Sequence, residues 1–205
     1  MRLALLAVIG VAAFGLGLGG GYLLQQSTPN VVLQRATLLG DRGTPLPDFK
    51  LESAGSRVFT RDQLRGRWTL LFFGYTNCPD ICPLTLSEMK DLFQQLKGTP
   101  YEQDTQVVFV SVDPKRDTPA LLKRYVQHFH KEFVGVTGNA AELKRLAQAL
   151  GIIYFIHGEG DNYLVDHSAA VLLVDPEGRL YATFSAPHEA SVLATDYLAL
   201  RDAAS

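Results

Sequence analysis

Hydrophobic and polar positions change period several times along this chain, and each change marks an element. The run WTLLFFGYT, residues 68–76, is almost wholly apolar, as expected of a strand buried on both faces of a sheet. Beyond it Met89, Leu92, Phe93 and Leu96 recur at helical spacing, and Pro83 sits early in that helix, where the missing N–H costs little. QVVFVSVD, residues 106–113, reads as a second buried strand. Thr118-Pro119 then opens a helix whose Leu121, Leu122, Tyr125, Val126 and Phe129 share one face. FVGVTG is a third strand, followed by a helix with Asn139 as N-cap, an apolar line through Leu143, Leu146, Ala147 and Leu150, and Gly151 as its stop. The order then changes: SAAVLLVD and RLYATFS flank PEG as an antiparallel hairpin, and a helix from about Glu189 to Asp202 closes the chain.

Upstream, FKLES and SRVFT form a short hairpin before a helical turn at Thr60 to Leu64. Parallel β-α units that end in a hairpin and a helix predict an α/β fold with a thioredoxin-like mixed sheet flanked by helices. This domain is expected to span residues 46–205. Residues 25–45 mix Pro, Gly, Ser and Thr with short apolar pieces and read as a linker that partly docks on the domain.

Residues 1–24 are different in kind. From Leu3 to Leu24 there is no charged side chain, while Arg2 and the amino terminus precede the run. That length matches the about 20 residues needed to cross a bilayer as a helix. It exceeds the about 7–15 residues of a signal-peptide apolar region. An N-terminal transmembrane helix is therefore expected. Positive charge on its N-terminal side alone directs the rest of the chain out of the cytoplasm, so the domain is expected in the periplasm of a bacterium, held by a single pass of the inner membrane.

The formal charge of −2, with lysines and arginines spread along the chain, supplies no basic field and argues against a nucleic-acid partner. The chain has two cysteines, both in TNCPDICPLT. Cys78 and Cys82 fall at the predicted strand-to-helix junction, where backbone N–H groups and the helix dipole favour a thiolate. Four residues apart on a helical turn, their Cα atoms lie about 6 Å from each other, so they can form a disulfide, a redox-active pair or two ligands of one metal ion. A structural disulfide closing so short a loop stabilises little. Dithiol oxidoreductases usually place two residues between the cysteines and a cis-proline beside them; here three residues intervene and no proline occurs between Pro119 and Pro176. His167 leads into the strand expected beside the cysteine strand and offers an imidazole. Two thiolates and one imidazole suit copper, and zinc accepts the same donors.

FFGYTNCPDICPLTL, VVFVSVDPKRDTP, GVTG and YLVDHSAAVLLVDPEGRL resemble the successive motifs of the Sco/SenC family, membrane-anchored thioredoxin-fold copper proteins of cytochrome c oxidase assembly. The resemblance runs from about Leu46 to Phe184, with order and spacing kept. It implies that Cys78, Cys82 and His167 bind one copper ion, and that the domain delivers it to the binuclear copper centre of cytochrome c oxidase subunit II. A second periplasmic copper chaperone or a thiol reductase is a further implied partner. Asp80 matches the family's acidic position and is expected either to tune the site or to act only as a helix-start carboxylate. Asp166 is expected to orient the imidazole. Position 77 is Asn where many relatives have His, which removes no expected ligand. No covalent chemistry on a substrate is required, although a thiol-disulfide reductase cycling Cys78 and Cys82, or a copper or redox sensor, fits the same residues. In VDPKRDTP, Asp113, Pro114, Asp117 and Pro119 supply turn and cap chemistry, and the resemblance implies that this loop also borders the metal site. His128, His130, His157 and His188 match no ligand position and are expected at the surface, and Met89 in the core.

Overall fold

The computed structural model describes residues 32–40, 43–158, 160 and 162–204. The expected membrane anchor and the first part of the linker lie outside the described residues. Among the described residues no helix is long and apolar enough to cross a membrane.

At the centre are two strands, β5 (Trp68–Gly74) and β6 (Thr105–Ser111), each buried at all seven positions. They pair in parallel from Trp68↔Thr105 to Gly74↔Ser111. On the far side of β6 comes β7 (Val134–Thr137), also parallel, and then the hairpin of β3 (Leu51–Ser53) and β4 (Arg57–Phe59). On the other side of β5, β10 (Val171–Val174) and β11 (Arg179–Phe184) run antiparallel. The thioredoxin-like mixed sheet is thus present.

Helices α1 (Ile81–Leu96), α2 (Pro119–Phe129), α3 (Ala140–Ala149) and α4 (Ala190–Ala203) flank the sheet. Helix α1 buries Leu86, Met89, Leu92, Phe93 and Leu96, the apolar face legible in the sequence. Thr118 caps α2 by accepting the Leu121 N–H at 3.3 Å, and Asn139 caps α3 by accepting that of Glu142 at 2.9 Å. Gly151 ends α3 with φ +70°, a conformation that penalises any side chain.

Two parts of the fold depart from expectation. The linker is partly sheet: β1 (Ala36–Leu38) pairs with Phe184 to Ala182 of β11, and β2 (Thr44–Pro45) with Leu180 and Arg179. The cause is Asp196 of α4. Fully buried, its carboxylate accepts the N–H groups of Gln34, Arg35 and Ala36 at 2.7–2.8 Å. A buried carboxyl group needs hydrogen-bond partners, and these three donors supply them. Second, residues before His167 form an unanticipated hairpin of β8 (Tyr154–His157) and β9 (Leu164–His167). In β8 burial does not alternate, since the consecutive Phe155 and Ile156 are both more than half exposed, as is Leu164 of β9.

Asp196→Ala removes the common acceptor of three backbone N–H groups, and each such hydrogen bond is typically worth about 0.5–1.5 kcal/mol. The expected result is a lower unfolding midpoint with loss of hydrogen-exchange protection confined first to Ala36–Leu38. Unchanged stability would mean that the linker is not held by this carboxylate.

Candidate metal centre

The register of β5 against β10 decides what meets what. Because Phe72 opposes Val171 in antiparallel pairing, the chain leaving β5 and the chain entering β10 lie at the same end of the sheet. The first carries the cysteines and the second carries His167.

Tyr75 to Asn77 lead out of β5, and a turn closed by the Cys78 N–H on the Tyr75 carbonyl, at 3.3 Å, sets Cys78 ahead of α1. Cys82 lies in the first turn of that helix and is fully buried, while Cys78 is half-buried. Both are free cysteines. Cys82 Sγ lies 3.2 Å from His167 Nε2, and the two sulfurs and the imidazole have ligand atoms all within 4.8 Å of one another. Among the described residues no other group of three or more His, Cys, Asp and Glu donors converges this way.

Gly74 makes room for this cluster. A Cβ there would stand 2.5 Å from Cys82 Sγ and 2.8 Å from the Phe109 ring, so the sulfur rests directly on the backbone of β5. His167 is held from behind. Its Nδ1 lies 3.1 Å from the Ser168 carbonyl, which can only accept, so Nδ1 is the donor there and Nε2 is the nitrogen turned to the sulfurs. The rings of Phe72 and Tyr75 meet the imidazole edge-on at 6.0 Å.

The thiols are electrostatically unequal. Cys78 is depressed to about 3, first because the Cys82 thiol donates to it and also through His167 and the N–H groups of Asp80 and Cys82, against an opposing burial. Cys82 moves the other way, raised by its hydrogen bond to Cys78, by burial and by the Cys78 charge. The metal-free pair therefore holds one proton, on the buried sulfur. A metal ion that takes both sulfurs must displace it.

The remaining predicted residues are placed as follows. Asp166 does not orient the imidazole. Neighbouring strand residues point to opposite faces, and its carboxylate pairs instead with His157 Nε2 at 2.8 Å, exposed on the outer face of the hairpin. Asp80 occupies the N-cap position of α1 without a side-chain capping bond and lines the groove beside Cys78 and His167. His188 is not a surface residue: it is half-buried, and its Nε2 lies 2.7 Å from the Ala169 carbonyl, bracing the segment between His167 and β10. Met89 is in the core. Asp113 and Asp117 are more than turn residues. Both are buried, and Asp117 accepts the Thr76 N–H at 2.9 Å and the Thr76 and Ser111 hydroxyls at 2.5 Å, fixing the cysteine loop.

A thiolate already formed at neutral pH is little affected by mild acid. Between pH 8 and 5, alkylation of the reduced, metal-free protein is expected to stay selective for Cys78 at a nearly constant rate, because that window lies above its depressed pKa of about 3. Mass spectrometry of the labelled peptides checks this. A rate falling about tenfold per pH unit below the usual thiol pKa near 8.5 would contradict it.

Comparison with known proteins agrees with the geometry. The SCO1/SenC family model matches residues 41–200. A protein of Stutzerimonas stutzeri described as a putative copper-binding protein is 44 % identical over 161 residues, covering 77 % of this chain and 78 % of its own. Arabidopsis thaliana ScoI, solved with copper bound, superposes with a TM-score of 0.72 at 34 % identity, covering 76 % of this chain and 97 % of that one. Apo Sco1 of Thermus thermophilus gives a TM-score of 0.73 at 35 % identity, covering 84 % and 99 %. With its thioredoxin-like sheet, its cysteine and histidine segments at one sheet end and this match across most of its length, the chain belongs to the SCO1/SenC family.

Proposed function

We propose that the protein is a copper metallochaperone: Cys78, Cys82 and His167 hold one copper ion and pass it to the binuclear copper centre of cytochrome c oxidase subunit II. The observation that carries this reading is the 3.2 Å approach of Cys82 Sγ to His167 Nε2 between residues 85 apart in the chain. Nothing in a dithiol couple requires an imidazole there. A donor set of two sulfurs and one nitrogen fits copper, a thiophilic ion that accepts low coordination numbers. Residues 1–24 anchor the chain in the bacterial inner membrane, and the domain of residues 46–205, tethered by residues 25–45, works in the periplasm. Copper arrives from another periplasmic copper carrier.

The unequal exposure of the ligands gives the transfer a direction. Cys82 is sealed behind the Gly74 backbone, whereas Cys78 and His167 border the open groove. An acceptor thiolate approaches on that side, replacing His167 and then Cys78, with Cys82 the last ligand released. As the ion leaves, Cys82 recovers its proton and Cys78 remains a thiolate. Asp80, at the rim, is placed to interact with the incoming protein or the ion.

The depressed Cys78 thiol also favours a second reading, in which the pair reduces a partner's disulfide. Cys78 thiolate attacks one partner sulfur and expels the other. Cys82 then passes its proton to the expelled partner thiolate and attacks the Cys78 sulfur of the mixed disulfide, so the partner leaves as a dithiol while Cys78 and Cys82 become a disulfide. The two readings are compatible, since metal binding needs the dithiol form.

Copper titration of the reduced protein beside its single-ligand variants tests the proposal. One copper per chain is expected, lost in Cys78→Ser and Cys82→Ser, with weakened binding in His167→Ala. His167→Ala is expected to retain any reductase activity. No copper retained by the reduced wild-type protein would overturn the metal reading. Normal assembly of the oxidase copper centre in a deletion strain under limiting copper would overturn the assigned destination.

A further inference from the structure

Between the two ligand-bearing segments lies a polar joint to which none of the three proposed ligands belongs. It is made by the loop that follows β6, whose Asp113 and Asp117 are exposed by only 2 % and 1 %. Asp117 holds the cysteine side through Thr76, two residues before Cys78. Asp113 and Arg116 hold the histidine side. The Arg116 guanidinium sits 3.6 Å from the centroid of the Tyr163 ring and donates to the Tyr163 carbonyl at 2.9 Å. It also pairs with Asp113, whose other oxygen accepts the Tyr163 hydroxyl.

Tyr163 is the foot of the hairpin strand that ends in His167. Tyr163, Val165 and His167 fall on the inward side, the first two nearly buried, while Leu164 and Asp166 face out. The contacts continue inward: Arg116 also reaches the Tyr75 ring at 5.6 Å. Tyr75 takes a hydrogen bond from the Val165 backbone and meets the imidazole edge-on. A two-stranded hairpin is marginal unless something packs against it, and among the described residues β8 and β9 pair with no other strand. A stacked guanidinium that donates to both Asp113 and the Tyr163 carbonyl is a rigid clamp that a lysine cannot reproduce.

We infer that Arg116 is a positioning residue for His167: by clamping Tyr163 to the loop that also fixes Thr76, it holds the imidazole against the two sulfurs. The inference rests on the three-ligand reading of the site and adds how its third ligand is kept in place. Two thiolates suffice to retain copper(I), whereas copper(II) favours a set that includes imidazole nitrogen. Loosening the clamp therefore acts on one oxidation state more than the other.

The test uses the full-length protein and its Arg116→Gln, Arg116→Lys and Tyr163→Leu variants; the last breaks the same contact from the other side if an Arg116 variant fails to fold. In the metal-free proteins, hydrogen exchange is expected to show lost protection in Tyr154–His157 and Leu164–His167 while β5 and β6 keep theirs. In the loaded proteins, copper(II) affinity is expected to fall about 10- to 100-fold, the usual effect of removing a ligand's supporting partner, with loss of the nitrogen coupling in the electron paramagnetic resonance spectrum. Copper(I) affinity changes far less. Unaltered hairpin protection, or equal losses for both oxidation states together with a general fall in stability, would overturn the assignment. Wild-type protein that binds no copper would instead defeat the three-ligand reading, and the exchange experiment on metal-free protein would still judge the clamp.

Discussion

The antiparallel register of β10 on β5 is the constraint from which the cluster follows. Phe72 opposite Val171 brings the exits of two sequence-distant segments to one sheet end. The pairing is buried on all sides, and a slip of one residue would turn every side chain of β10 to the wrong face. Such a slip is costly in a strand whose four residues are all buried, so the distance between sulfur and imidazole is set by the core and not by the loops alone. Gly74 completes the constraint, since the sulfur takes the space where any other residue would have its Cβ.

On that frame the chemistry is one of unequal partners. The buried Cys82 keeps a proton and the half-buried Cys78 gives its own up, through a hydrogen bond that only this geometry allows. The imidazole faces both because the Ser168 carbonyl takes its other nitrogen. A site with one sealed ligand and two accessible ones is suited to holding an ion firmly while leaving it open to capture by another protein's thiolates, and a closed structural site would present no such face. The loop of Asp113, Arg116 and Asp117 links the two halves, so that cysteine loop and histidine hairpin are braced from a common point.

Much of this was legible in the sequence because burial dictates pattern. The continuous apolar runs of β5 and β6, the helical spacing of α1 and the caps Thr118 and Asn139 stand where the pattern places them. Cys78 and Cys82 were recognisable as a reactive pair from their helix-start position, but their spacing alone left disulfide, dithiol and metal site open. His167 was singled out by its place before a strand and by family resemblance. What escaped was chemistry made by tertiary contact. Asp196 gave no sign in its own helix that it would bind the linker, and although the resemblance set the loop of Asp113 and Asp117 beside the site, their turn chemistry did not show which groups they hold. Asp166 is adjacent to His167 in sequence, which in a strand puts the two side chains on opposite faces. The β8–β9 hairpin was hidden because several of its exposed positions, Phe155, Ile156 and Leu164, are apolar.

The central claim is that all three side chains act on one ion. X-ray absorption at the copper edge of the reduced, copper-loaded protein tests it most directly. The account predicts a first coordination shell of two sulfurs and one imidazole nitrogen, with the nitrogen lost in His167→Ala and both sulfurs retained. A shell of sulfur alone in the wild-type protein, or one unchanged by that substitution, would contradict it.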